Sequence, residues 1–170
     1  DELDLLLFNT TPFTDNEELA EQCKEKAKYY GRQGSYDAVL TGPQMAAAMK
    51  KNGDYLPSAC IQLTRRAFLL ENHLSFIPGV IHEDNAYTFA VFMAAQRVGY
   101  DERAYFRRRL RSNSIMTSAY SFHNVYSYYV CCREMNHTLS AMKIPQDDTH
   151  VPPEIIHSIL TNARRIYNEL

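Results

Sequence analysis

The chain has no tryptophan, only six glycines and a formal net charge of -2 over 170 residues. That near-neutral balance removes the general attraction to nucleic acid or anionic lipid that a basic domain shows, so no nucleic-acid partner is expected. No apolar run approaches the roughly 18–20 residues that span a bilayer. Cys23, Cys60, Cys131 and Cys132 have no C-x-x-C pairing and no spaced histidine partner, which argues against the usual zinc frameworks. Cys131 and Cys132 are neighbours and poor disulfide partners. The cysteines are expected as reduced thiols in a cytoplasmic protein, with at most a peripheral contact at the inner face of the membrane. Asp1-Glu2 stands where a secretory leader would be basic. His123, His137, His150 and His157 show neither H-x-x-x-H nor H-E-x-x-H spacing, so no metal ligands are read among them.

What is present suits one folded unit: 45% hydrophobic and 22% charged residues, with enough length to bury a core. Twelve tyrosines and eight phenylalanines supply amphipathic rings for partly wet clefts and interfaces. Leu3–Phe8 is a continuous apolar run of the kind found in a strand covered on both faces. Loop residues Thr10–Asn16 offer an N-cap before a helix over Glu17–Tyr30, acidic early and basic late, with Gly31 ending it. Thr41-Gly42-Pro43 opens a short helix over Gln44–Lys51, and Asn52-Gly53 stops it. Ser58–Leu63 suggests a strand, followed by a short helix from Arg66 to Asn72.

Ala86–Arg97 is the strongest helical pattern, with Ala86, Phe89, Ala90, Met93, Ala94 and Arg97 on one face. Val98–Leu110 reads as extended, and helices are expected over Ser121–Met142 and Pro153–Glu169. The overall expectation is an α/β fold.

The chemistry concentrates in two places. Phe76-Ile77-Pro78-Gly79-Val80-Ile81-His82-Glu83-Asp84-Asn85 sets a histidine and two adjacent carboxylates in a Gly/Pro turn before the helix. The plain reading of Glu83 and Asp84 is helix capping. The catalytic reading makes one of them a general base that takes a proton from an attacking hydroxyl. Downstream, Arg107-Arg108-Arg109-Leu110-Arg111 would send Arg107, Arg109 and Arg111 to one side of an extended segment, with Phe106, Arg108 and Leu110 opposite. They serve either as a charged guard on an edge strand or as a guanidinium clamp on phosphate oxygens, with Ser114 adding a neutral donor. Base and clamp together fit a transfer reaction with an anionic leaving group. The run Tyr120, Phe122, Tyr126, Tyr128, Tyr129 reads first as a helix face packed on its own domain or on a second subunit, and second as a stacking platform for a sugar or base.

These residues bring a family into view. FIPGVIHEDNAYTFAVFMAAQRVGYDERAYFRRRLRSNSIMT resembles the C-terminal half of bacterial family 2 glycosyltransferases with the GT-A fold. That pattern runs phenylalanine, glycine, His-Glu-Asp and a helix, then a strand with an aromatic and Arg-x-Arg-x-x-Ser-Ile. Upstream, RRAFLLENHLSF is similar to the segment that precedes this turn in the family. The resemblance is concentrated between Arg65 and Met116. Asn113 replaces a usual glycine, and Arg108 stands where an aromatic is frequent.

The resemblance implies a partial GT-A-like (Rossmann-like) sheet with flanking helices over 1–118 and a helical extension over 119–170. It implies an inverting transfer from a nucleotide-diphosphate sugar to a hydroxyl of a glycan or lipid-linked saccharide, as in polysaccharide biosynthesis. Asp84 would be the catalytic base and Glu83 its motif partner. His82 would line the acceptor or diphosphate side, with Arg109, Arg111 and Ser114 as diphosphate contacts. The family's D-x-D motif, which holds a divalent cation (Mn or Mg), is missing, and the Asp147-Asp148 pair lies in the wrong context. The chain is therefore expected to be the acceptor-side portion of a larger enzyme, inactive alone and without its own cation. The alternative is a non-catalytic helical interaction module, or a homodimer built on the same helices.

Overall fold

Leu5, Leu7 and Phe8 are nearly fully buried, and they sit in β1 (Leu5–Phe13), the middle strand of a three-stranded sheet. The computed structural model describes residues 2–112 (the side chains at 26, 28 and 29 excepted), 119–141 and 151–170. β2 (Gln62–Thr64) pairs antiparallel with Leu5–Leu7, and β3 (Val98–Arg109) pairs parallel along the whole of β1. Strand β1 runs on through the residues expected as a loop. Past Leu7 the β2 side of β1 is open, and an open edge tolerates Pro12, which has no N–H to give a ladder. The register slips on both sides of Asn9, whose side chain donates to Tyr100 Oη at 2.8 Å and to Glu102 O at 2.9 Å.

The long connection between the parallel strands β1 and β3 carries β2 and lays helices against the sheet. Asn16 caps a 3-10 turn over Glu17–Leu19 by accepting from Glu18 N–H at 2.9 Å, and α1 (Ala20–Tyr30) continues it. Thr41 and Gln44 form a reciprocal capping box at the start of α2 (Gly42–Lys51). Gly42 is required there because a Cβ would lie 1.7 Å from the carbonyl oxygen of Phe92, in α4 (Asp84–Ala94). The stretch read as one strand at Ser58–Leu63 is a 3-10 turn, Ala59–Ile61, followed by β2. α3 (Arg66–Glu71) follows, buried through Phe68.

The central helix differs from its expected span at both ends. It starts at Asp84 and stops at Ala94, so Arg97 does not close its stripe. The cause is Asp4, whose Oδ2 accepts from Gln96 N–H at 2.9 Å and from Arg97 N–H at 3.1 Å, pulling the chain out of helix into β3. Its Oδ1 accepts from Arg65 at 2.7 Å.

α5 (Phe122–Ala141) and α6 (Val151–Glu169) share the core of the sheet unit. Cys131, Cys132, Met135, Ile155, Ile156 and Ile159 join one buried cluster with Leu5, Met45, Phe89 and Val98. Of the α5 tyrosines only Tyr128 packs against this cluster among the described residues; Tyr126 and Tyr129 are exposed, and the buried residues are Asn124, Ser127, Val130, Cys131, Cys132 and Met135. The molecule is a mixed α/β structure with a small open sheet and flanking helices.

Candidate active site

The Gly/Pro loop ahead of α4 is held in an unusual backbone shape. Gly79 has φ +75°, which glycine adopts without cost, but His82 has φ +62°, the left-handed region that a side chain disfavours. Several bonds fix it there. The His82 carbonyl accepts from Asn85 N–H (3.1 Å), from Asn85 Nδ2 (2.7 Å) and from the Cys131 thiol (3.4 Å). Its ring stacks on Tyr128 at 4.4 Å and 7°, and its Nε2 lies 3.2 Å from Asn124 Nδ2. Ile81 N–H donates to the buried hydroxyl of Ser127 at 3.2 Å. Burial pushes the imidazole below its usual pKa, with the Glu83 charge acting upward and His123 downward. A neutral imidazole can accept from the Asn124 amide, which places its ring proton on Nδ1.

This strained residue delivers the carboxylates. Glu83 occupies the N-cap position in a helical conformation and makes no side-chain cap bond. Asp84, the first residue of α4, reaches back across the turn and accepts from Ala59 N–H at 3.3 Å. Neither carboxylate therefore caps its own helix. Asp84 is half-buried, and that burial raises its pKa above the ordinary carboxylate value. The Ala59 bond lowers it, the neighbouring Glu83 charge raises it, and Arg108 lowers it.

Asp84 and His82 open onto a cavity of about 280 Å³. Arg108 from β3, Tyr128 from α5 and Ser158 from α6 also line it, as does Lys50 from α2, which donates to Ser158 Oγ at 2.8 Å. Tyr55 and Ser58 form another part of the wall, and their buried hydroxyls have no hydrogen-bond partner among the described residues.

The arginine ladder alternates as the strand requires, and its inner member is Arg108. Phe106 and Arg108 are half-buried, and the Arg108 guanidinium lies over the Tyr30 ring at 4.6 Å. Arg107 and Arg109 point the other way. Arg107 covers Phe13 at 4.7 Å, and Arg109 pairs with Asp15 at 2.9 Å in solvent. Arg111 is exposed just beyond the strand, and Ser114 lies outside the described residues. The structure thus gathers His82, Asp84 and Arg108 at one cavity, with Glu83 beside them and Arg109 outside. Arg108 had a sequence signal: it shares a strand face with Phe106, which packs on the buried cluster of Phe8, Leu56 and Ile61. Lys50, Tyr55, Ser58 and Ser158 had none, because they reach the cavity from separate elements.

Among the described residues no cluster of three or more His, Cys, Asp or Glu side chains could hold a metal ion. A scan against protein-family models finds no match to this chain, and a search of curated proteins finds none either.

Proposed function

We propose that this chain is the acceptor-side part of an inverting glycosyltransferase with a GT-A-like core, in which Asp84 is the general base. One observation carries the reading. A half-buried carboxylate with a raised pKa, held on a strained turn at a helix start, faces a cavity that also contains a guanidinium. Asp84 takes the proton of an acceptor hydroxyl. The freed oxygen attacks the anomeric carbon as the bond to the diphosphate oxygen breaks, and the bonding pair leaves with the nucleoside diphosphate.

Positive charge is needed where that pair arrives. Arg108 already lines the cavity. Among the described residues the Arg109 guanidinium is held by a solvent-exposed pair with Asp15, worth about 0–1 kcal/mol. Little opposes its moving to a phosphate, and Arg111 and Ser114 follow it in the chain. His82, neutral and stacked, orients rather than carries charge. Glu83 tunes Asp84 through its negative charge. The nucleotide half of the donor site, with its divalent cation, would come from a part of the enzyme outside these residues.

The test uses the enzyme that includes a nucleotide-sugar-binding half. Asp84→Asn keeps an oxygen for the Ala59 N–H and removes the base, so turnover falls by about 10²–10⁴-fold while nucleotide-sugar affinity stays within a few-fold. Turnover close to wild type would refute the assignment. The 170 residues alone should show no tight binding of nucleotide sugars by calorimetry. Micromolar affinity there would overturn the acceptor-side reading.

A further inference from the structure

Helix α5 is apolar on two sides. Its inner side buries Val130, Cys131, Cys132 and Met135. Its outer side carries Phe122, Tyr126, Tyr129 and Arg133 at steps of four, three and four, all exposed. A surface helix ordinarily keeps that stripe polar. Phe122 meets Tyr167 of α6 edge-on at 6.3 Å, and Tyr120 lies under the Arg165 guanidinium at 5.4 Å. The rings of Tyr120, Phe122, Tyr126, Tyr129 and Tyr167 are 42–68% exposed. At about 200 Å² per ring they offer roughly 500–600 Å² of surface, at the upper end of what a monomer leaves bare.

We propose that this face joins two copies of the chain through an antiparallel seam of α5 against α5, about a two-fold axis. The inference does not depend on the transferase reading. Five rings with Arg133 and the neighbouring rim approach the roughly 800 Å² per partner of a stable interface. Tyrosine, phenylalanine and arginine are the residues that such interfaces concentrate. The stripe is also complementary to itself. An axis between Tyr126 and Tyr129 sets Tyr126 against the partner's Tyr129, and Phe122 against the partner's Arg133, a ring facing a cation. The two arginines then lie on the order of 16 Å apart along the seam, beyond the screening length of about 8–10 Å.

Charge favours a second copy over an anionic membrane. Arg133 pairs with Glu134 at 2.8 Å and Arg165 with Glu169 at 2.6 Å, so the patch carries little excess positive charge.

Sedimentation equilibrium of the chain at micromolar concentrations should give a species at twice the 19.6 kDa of one copy. Tyr126→Glu and Tyr129→Glu should each weaken the dimer at least about tenfold. Both leave the circular dichroism unchanged, because these rings are exposed in the single copy, and lower Tm only by what association adds to it. With Cys23 and Cys60 changed to serine, Tyr126→Cys chains mixed with Tyr129→Cys chains should oxidise mainly to the mixed disulfide. A monomer at all these concentrations overturns the proposal. So does a dimer indifferent to both glutamates, or a preference for Tyr126→Cys self-crosslinks. A monomer that binds anionic phospholipid vesicles through the same rings overturns it as well.

Discussion

Asp4 joins three segments, and replacing it with alanine should loosen all of them together. Its carboxylate receives two backbone N–H groups, from Gln96 and Arg97, and the Arg65 guanidinium. The side chain is only 11% exposed, so water does not readily replace it. Each orphaned, part-buried N–H costs up to about 1–3 kcal/mol. Arg65 is 40% exposed, which limits that pair to about 1 kcal/mol or less. The loss should be about 3–5 kcal/mol, a large share of the roughly 5–15 kcal/mol that stabilises an ordinary domain. At roughly 2–4 °C per kcal/mol for a chain of this size, Tm should fall by on the order of 10 °C. Asp4→Asn retains one acceptor oxygen and should lose about half as much.

Urea titration followed by circular dichroism gives the free energies, and the urea dependence should stay unchanged. The charge adds a pH signature. These bonds hold the Asp4 carboxyl below its ordinary value of 3.8. A depressed pKa stabilises the fold above the unfolded pKa near 3.9, and that stability is lost as pH falls through the lower folded value. The gap between wild type and Asp4→Asn should therefore narrow as pH falls below about 4. If Asp4→Ala cost under about 1 kcal/mol, the tie between the end of α4 and the start of β3 would carry no weight.

The other expectations bear on the helix that presents Asp84 and on its packing. Asp84 titrates the opposite way from Asp4: its folded pKa is raised, so ionising it opposes folding at neutral pH, and Asp84→Asn should raise Tm at pH 7 even as it removes the proposed base. A lower Tm in that variant would contradict the burial argument. If the proposed transferase reading holds, the acid limb of its kcat/KM should accordingly lie above 3.8, where an ordinary aspartate would put it. Thr88 is fully buried with a hydroxyl that has no partner among the described residues, so Thr88→Val should gain about 1 kcal/mol in urea unfolding. Gly42→Ala should cost about 3 kcal/mol or more, or yield insoluble protein, because its Cβ would strike the Phe92 carbonyl.

Local chemistry was legible where it is settled within a few residues. Thr41, Gly42 and Pro43 announce α2, and the capping box is there. The acids before the lysines mark the helix ending at Tyr30, and the Val98–Leu110 extension matches β3 within a residue. What escaped was settled by partners far along the chain. Arg97 sits in phase with the α4 stripe, yet Asp4, more than ninety residues earlier, takes the N–H groups that would have continued the helix. A side chain that outcompetes the helix for its own donors is invisible to periodicity.

The same holds for the site. Alternation along β3 separates Arg107 and Arg109 from Arg108, and Phe106 on the Arg108 face marks it as the inner one; Tyr30, drawn up from another element, is what the Arg108 guanidinium meets there. Helix α5 presents the problem in reverse, because apolar residues line both its faces and hydrophobicity cannot choose between them. Close approach does choose. The His82 loop passes α5 at hydrogen-bond distance from Ser127, Asn124 and Cys131, and beside them Tyr128 stacks on the His82 ring while Tyr126 and Tyr129 turn outward. The strained turn that presents Asp84 and the exposed aromatic stripe thus have one origin: α5 lies close enough to hold His82 in a left-handed conformation, and the face that does so leaves Phe122, Tyr126 and Tyr129 toward solvent.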